Sequence, residues 1–249
     1  MASILQHLRQ HLSTRCLLCT LPLHEAGLGQ AYMSALCAVC ATIHKDVRRR
    51  CQRCKVAFLG DITPQAESCA CCELSMTALC AFAVALDYMA PTASLVWRFK
   101  SQLQLRLAPY LAHLMVAAIQ AESWSLPAST WVVAIPSSRQ AVIRRGFNPA
   151  AELARYVASM LGLVWKPAAL SLNQPAGALA QKQRSQDQRW SYAQQAFRWC
   201  ADSTPTTVLV VDDVVTTGST MHGAAVCAQS QGGQQVYGVA LARTPWRHT

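Results

Sequence analysis

Beyond residue 80 the chain alternates short apolar runs with longer segments whose apolar residues recur every three or four positions. Residues 81–86 form a brief apolar run closed by Asp87-Tyr88 and a break at Pro91, which predicts a strand. Residues 95–100 and 103–120 carry apolar side chains at helical spacing, with Pro109 tolerable only near a helix start or a kink. Residues 131–135 are a compact β-branched strand ended by Pro136. Residues 149–161 predict a helix, with Asn148 as its N-cap and Pro149 at its first position. A Gln-, Arg- and Ser-rich stretch, 173–195, predicts an exposed loop with one short helix. Residues 207–211 predict a buried strand, 219–231 a helix and 236–242 a last strand. Strands alternating with helices argue for a parallel sheet wound in α/β fashion.

The first 80 residues read differently. They lack long periodic segments and hold ten of the twelve cysteines, so residues 1–80 are expected to be a small module and residues 81–249 an α/β domain. So small a module buries little apolar surface and needs a staple. The staple is visible as four pairs with two-residue spacers: Cys16 and Cys19, Cys37 and Cys40, Cys51 and Cys54, Cys69 and Cys72. Such a spacer lets both sulfurs of a knuckle face one ion, and two knuckles complete a tetrahedral four-thiolate site. Four knuckles therefore predict two structural Zn²⁺. Consecutive pairing joins Cys16, Cys19, Cys37 and Cys40 in one site and Cys51, Cys54, Cys69 and Cys72 in the other. Interleaved pairing satisfies the same spacing, and Cys71 is able to replace Cys69 or Cys72.

The first fifteen residues place His7, Arg9 and His11 where a signal peptide needs an apolar core, and no run approaches the roughly 18 apolar residues of a spanning helix. A cytoplasmic protein without membrane insertion is expected, which favours thiolates on metal over disulfides. Charge adds a partner class. Twenty-two Lys and Arg face twelve Asp and Glu, a formal +10, and fourteen of those cations lie beyond residue 80. Such an excess suits nucleic acid or phosphate-rich ligands.

The most specific segment runs from Val208 to Thr220, Val-Leu-Val-Val-Asp-Asp-Val-Val-Thr-Thr-Gly-Ser-Thr. Four apolar residues make a buried strand, and Asp212 and Asp213 stand at its carboxyl end, where open α/β sheets bind ligands. A loop of Thr216, Thr217, Gly218, Ser219 and Thr220 then opens a helix. Free backbone N–H groups at that helix start, with the hydroxyls, suit a dianionic monophosphate. Carboxylates beside a phosphate repel it unless ribose hydroxyls donate to them or Mg²⁺ intervenes. Both are parts of phosphoribosyl pyrophosphate (PRPP) with Mg²⁺, and this stretch closely resembles the PRPP-binding motif of type I phosphoribosyltransferases.

The order of features resembles the ComF/ComFC competence-protein family, GntX-like members included. Cysteine knuckles are followed by Trp97-Arg98-Phe99-Lys100, by Arg144-Arg145-Gly146-Phe147-Asn148, by the PRPP motif and by Ala242-Arg243-Thr244-Pro245. The resemblance implies a double zinc ribbon joined to a phosphoribosyltransferase-like domain, with a role in DNA uptake and natural transformation and contacts to other competence proteins. It makes Pro136, Ser137 and Ser138 part of the pyrophosphate loop, with Arg144, Arg145 and Asn148 beside it and Lys100 at the same mouth. The family's Pro-Leu-His-Pro type loop and following arginines are replaced here by Ser138, Arg139, Ala141 and Ile143. Tyr192 and Gln195 likewise stand where Asn and Gly are expected.

Three functions follow as alternatives. The first is a PRPP-fold protein that handles single-stranded DNA. The second is an active transferase moving a phosphoribosyl group from PRPP-Mg²⁺ to an amine or base. The third is a regulator that senses PRPP without chemistry.

Overall fold

The computed structural model describes residues 15, 16, 19–22, 37, 50–57, 69, 78–173 and 195–245. Most of the expected loop over 173–195, Tyr192 included, lies outside the described residues, as do Cys40, Cys71 and Cys72.

The α/β part begins with strand β1 (Ala81–Asp87) and helix α1 (Thr92–Ser101), then a short 3-10 turn at Leu105–Leu107 and helix α2 (Ala108–Ala121). The apolar spacing over 103–120 predicts helix throughout. The chain instead takes a left-handed conformation at Leu103 (φ 55°), and α2 starts only at Ala108, with Pro109 in its first turn. Strand β2 (Trp131–Ala134) follows, then helices α3 (Arg139–Arg145) and α4 (Pro149–Leu161). Asn148 caps α4 by accepting from the Ala150 N–H, as its position predicts. Helix α3 carries no apolar stripe and buries no residue. It is defined by its ends, a Ser138 side chain accepting from the Ala141 N–H and a left-handed Gly146 (φ 80°).

After the short strands β3 (Val164–Trp165), β4 (Leu170–Leu172) and β5 (Phe197–Trp199) come β6 (Thr207–Val215), helix α5 (Ser219–Ser230) and β7 (Gln235–Arg243). Five strands form one parallel sheet in the order β1-β7-β6-β2-β3, and β4 pairs with β5 antiparallel outside it. The fold is thus mixed α/β with a parallel sheet, as the pattern predicts.

Val208, Leu209, Val210 and Val211 are fully buried, the continuous apolar run that a parallel strand covered on both faces requires. The two faces are distinguishable. A Cβ added at Gly238 of β7 would lie 2.9 Å from Phe82 and 3.2 Å from the Met221 sulfur of α5, so this face meets α5. Tyr237, one residue earlier, points the other way and packs on Trp124, just beyond α2, with ring centroids 5.1 Å apart. No described helix is long and apolar enough to cross a membrane.

Gly238 generates a test of this packing. Gly238→Ala pushes a methyl into Phe82, Leu79 and Met221 and is expected to destabilise the protein by about 1–3 kcal/mol, read from urea denaturation midpoints.

Candidate functional site

Sheet connectivity reverses between β2 and β6. From β2 the chain moves outward to β3, whereas from β6 it moves the opposite way to β7. At such a switch point the loops after the two strands diverge and leave a crevice at the carboxyl edge. The divergence is sharp. Strand β2 keeps register with β6 through Ala134↔Val211, and the Ile135 N–H still donates to the Val211 carbonyl at 2.9 Å. Pro136, which has no N–H, follows. Strand β6, however, stays paired with β7 as far as Val215↔Arg243.

This changes the place of the twin acids. They do not follow the strand but lie within β6, in the stretch where β2 has left and β7 remains. Deprived of β2, the Asp213 N–H is taken by the Asp212 carboxylate at 2.8 Å. The Asp213 carboxylate in turn accepts from the Val214 N–H at 2.7 Å. Neighbours on an extended strand face opposite sides of the sheet, so the two acids part. Asp213 forms an ion pair of 2.7 Å with Lys100 of α1. Burial, and then the charge of Asp213, push the Asp212 carboxyl well above the usual carboxylate range.

The phosphate loop follows directly. Gly218 is the N-cap of α5 with φ 89°, a left-handed conformation that glycine adopts without a Cβ clash. The Thr217 and Ser219 hydroxyls lie 3.0 Å apart, and the Ser219 N–H donates to the Thr217 Oγ1 at 3.4 Å. Gly218 and Ser219 are buried, Thr217 and Thr220 half-buried and Thr216 exposed. Gly218 has no side chain to cap the helix, so beyond the Ser219 N–H the first-turn N–H groups keep their capacity to meet an anion.

Across the crevice, Asn148 fixes the opposing loop. Its amide donates to the Ile135 carbonyl at 2.9 Å, and its oxygen accepts from the Ser137 hydroxyl at 3.0 Å. Pro136 and Ser137 are thereby held beside the switch point, and the Ser138 side chain caps α3. Arg144 and Arg145 occupy the last turn of α3, Arg144 exposed and Arg145 half-buried. An edge contact between Phe99 and Phe147 (5.5 Å between centroids) ties α1, and with it Lys100, to the chain just past Arg145. Lys100, Asp213 and Ser137 thus come to one carboxyl edge, with the arginines on its flank. Sequence reasoning gave no role to Arg243, which is 5% exposed at the end of β7. A charged residue closing an otherwise apolar strand was the available signal.

The cysteines form two groups, Cys16 with Cys19 and Cys37, and Cys51 with Cys54 and Cys69, each with its sulfurs within 4.8 Å of one another. This is the consecutive grouping. The Cys19–Cys37 sulfurs are 3.7 Å apart and the Cys54–Cys69 sulfurs 3.6 Å. A tetrahedral ion with bonds of about 2.3 Å requires edges of about 3.8 Å, so both groups fit Zn²⁺. N–H groups of Cys54 and Cys69 point at the Cys51 sulfur at 3.5 and 3.4 Å, as suits a thiolate. The two knuckles repeat one backbone form. Cys16 N–H bonds to Leu21 and Thr20 N–H to Cys16, just as Cys51 N–H bonds to Val56 and Lys55 N–H to Cys51. The second knuckle is tied to the α/β part by Arg50 to Asp87 and by Lys55 to Glu122, both at 2.7 Å.

No family model matches the chain. Two curated relatives, each named DNA utilization protein YhgH, come from Salmonella typhi and Salmonella typhimurium. Each is 28% identical over 231 residues, covering 92% of this chain and 96% of the relative. Among solved structures, the protein TT1426 from Thermus thermophilus is similar over 57% of this chain and 85% of its own, at 16% identity and a TM-score of 0.34. A hypoxanthine phosphoribosyl transferase from Trypanosoma cruzi is similar over 57% and 74%, at 12% identity and a TM-score of 0.31.

The raised Asp212 pKa fixes the sign of a pH effect. A carboxyl with a folded pKa above its unfolded one contributes stability that is complete below the unfolded value and lost as pH rises through the folded one. The loss therefore begins near the ordinary aspartate value, about pH 4. Asp212→Asn, which stays neutral, is expected to melt higher than the wild type at pH 7 without ligand, and the two should converge near pH 4 in thermal melts.

Proposed function

We propose that this chain is a phosphoribosyltransferase-like protein of the ComF type, with a crevice between β2 and β6 that takes PRPP or ribose 5-phosphate. In this reading it handles single-stranded DNA during DNA uptake in the cytoplasm, together with other competence proteins. The observation that carries the reading is the coincidence of the Asp-Asp-to-Thr-Thr-Gly-Ser-Thr segment with the point where the sheet reverses its order. The name of the two Salmonella relatives, DNA utilization protein, supports the second half.

Residues 1–80 act as a double zinc-ribbon module and 81–249 as the ligand domain. Thr216, Thr217, Gly218, Ser219 and Thr220 receive the 5-phosphate through helix N–H groups and hydroxyls. Asp212 and Asp213 hydrogen-bond the ribose hydroxyls, and Asp213 with Lys100 sets the charge that the sugar meets. Pro136, Ser137 and Ser138 border the pyrophosphate, and Arg144 and Arg145 supply cations for it or for backbone phosphates of DNA. Mg²⁺, carried in with PRPP, would be held through the crevice carboxylates and would neutralise the pyrophosphate. Zn²⁺ on Cys16, Cys19, Cys37 and Cys40, and on Cys51, Cys54, Cys69 and Cys72, leaves no open position and is structural.

One observation favours active transfer as a second reading. The Lys100 ion pair holds the Asp213 carboxylate at the crevice, where it would stabilise oxocarbenium-like charge on the ribose.

The test has two arms. Pyrophosphate release from PRPP-Mg²⁺ is assayed with amine and base acceptors, and oligonucleotide binding is followed over a salt series. DNA handling predicts salt-sensitive binding, with each contacted phosphate adding about −0.7 to the log–log slope, so Arg144→Gln with Arg145→Gln should flatten it by about 1.4. Turnover abolished by Asp213→Asn would establish the transferase. If neither binding nor turnover appears, both readings fail. Metal analysis should return about two zinc per chain, falling to about one in Cys16→Ser or in Cys51→Ser.

A further inference from the structure

The Ala242-Arg243-Thr244-Pro245 segment has no role in the reading above, yet it contains an anomaly. Arg243 is 5% exposed, and its Nε and Nη1 groups have no hydrogen-bond partner among the described residues. A buried guanidinium with orphaned donors is costly, both in unmade bonds and in charge taken out of water. Such a group calls for an acceptor.

Its position says which kind. Arg243 stands opposite Val215 of β6 on one side and opposite Asp87 of β1 on the other. It therefore lies one residue short of the Thr216 loop, at the carboxyl rim. By strand alternation it shares a face with Asp213, the face that Lys100 approaches from α1. The carboxylates on that face already have cations. Asp213 is matched by Lys100 and Asp87 by Arg50, each at 2.7 Å. Arg243 is the cation left over among these residues, so the face is complementary to a single negative charge. Its flank is also informative. The Ser137 loop lies on the β2 side of β6, whereas Arg243 lies on the β7 side.

We propose that Arg243 binds the carboxylate of a small second ligand, seated over β7 beside the sugar phosphate and on the flank away from the Ser137 loop. The proposal rests on the sugar-phosphate reading of the crevice. A guanidinium offers paired N–H donors to a planar carboxylate and accepts nothing in return, which selects an anion over its neutral amide or unsubstituted analogue.

The experiment uses the full zinc-loaded chain saturated with ribose 5-phosphate. Calorimetric titrations compare nicotinate with nicotinamide, and orotate with uracil. Each carboxylate is expected to bind at least about tenfold tighter than its uncharged counterpart, a difference that charge-assisted bidentate bonds readily supply. Arg243→Gln should erase the preference and leave ribose 5-phosphate affinity unchanged, while Arg243→Lys should keep part of it. Arg243→Met, which removes the unpaired charge, should melt no lower than the wild type without ligand. Ribose 5-phosphate binding without any preference for the carboxylates overturns the Arg243 assignment alone, and the wild type suffices for that result. A preference that survives in Arg243→Gln, or a lowered melting point in Arg243→Met, also overturns it. Failure of ribose 5-phosphate to bind refutes the crevice reading underneath.

Discussion

The structure turns on one parting of strands. Strands β2 and β6 run together until the Ile135 N–H reaches the Val211 carbonyl, and then Pro136 carries β2 away. Strand β6 cannot follow, because β7 holds it for four more residues, to Val215. A parallel sheet tolerates such an opening only at its rim, where backbone groups find other partners. Here the Asp212 side chain supplies one to the Asp213 N–H. The same event that opens the crevice thus pins a carboxylate at its wall.

Much of this was legible beforehand because local chemistry and global topology agree. Apolar runs at 81–86, 131–135, 207–211 and 236–242 had to be strands, and Asn148-Pro149 had to open a helix. The cysteine spacing announced metal knuckles, and the structure selects the consecutive grouping from two that spacing allows. What escaped the sequence depends on partners far along the chain. The extension of β6 through both acids follows from pairing with β7, more than twenty residues away. Helix α3 was illegible for another reason: Arg139–Arg145 has no buried face, and only its caps at Ser138 and Gly146 define it.

The separation of the acids also alters how they should be understood. Read from the sequence, Asp212 and Asp213 are a pair sharing one ligand. In an extended strand they serve different faces, and their surroundings differ accordingly: Asp213 meets a lysine, and Asp212 meets burial. A carboxyl that resists ionisation donates a hydrogen bond when protonated, and a carboxylate beside a cation accepts. Two adjacent residues of one type thereby present unlike chemistry to whatever enters the crevice.

The cysteine module bears on the same edge from outside. Its second knuckle is anchored through Arg50 to Asp87, the last residue of β1 and the neighbour of Arg243 in the sheet. Arg50 also donates to the Lys55 carbonyl within the knuckle, at 3.1 Å. One guanidinium therefore joins the turn around a candidate metal centre to the rim of the sheet. Arg50 also meets the carboxylate that stands opposite Arg243 in register. The knuckle is thus tied to the sheet through the carboxylate that stands beside Arg243 in register.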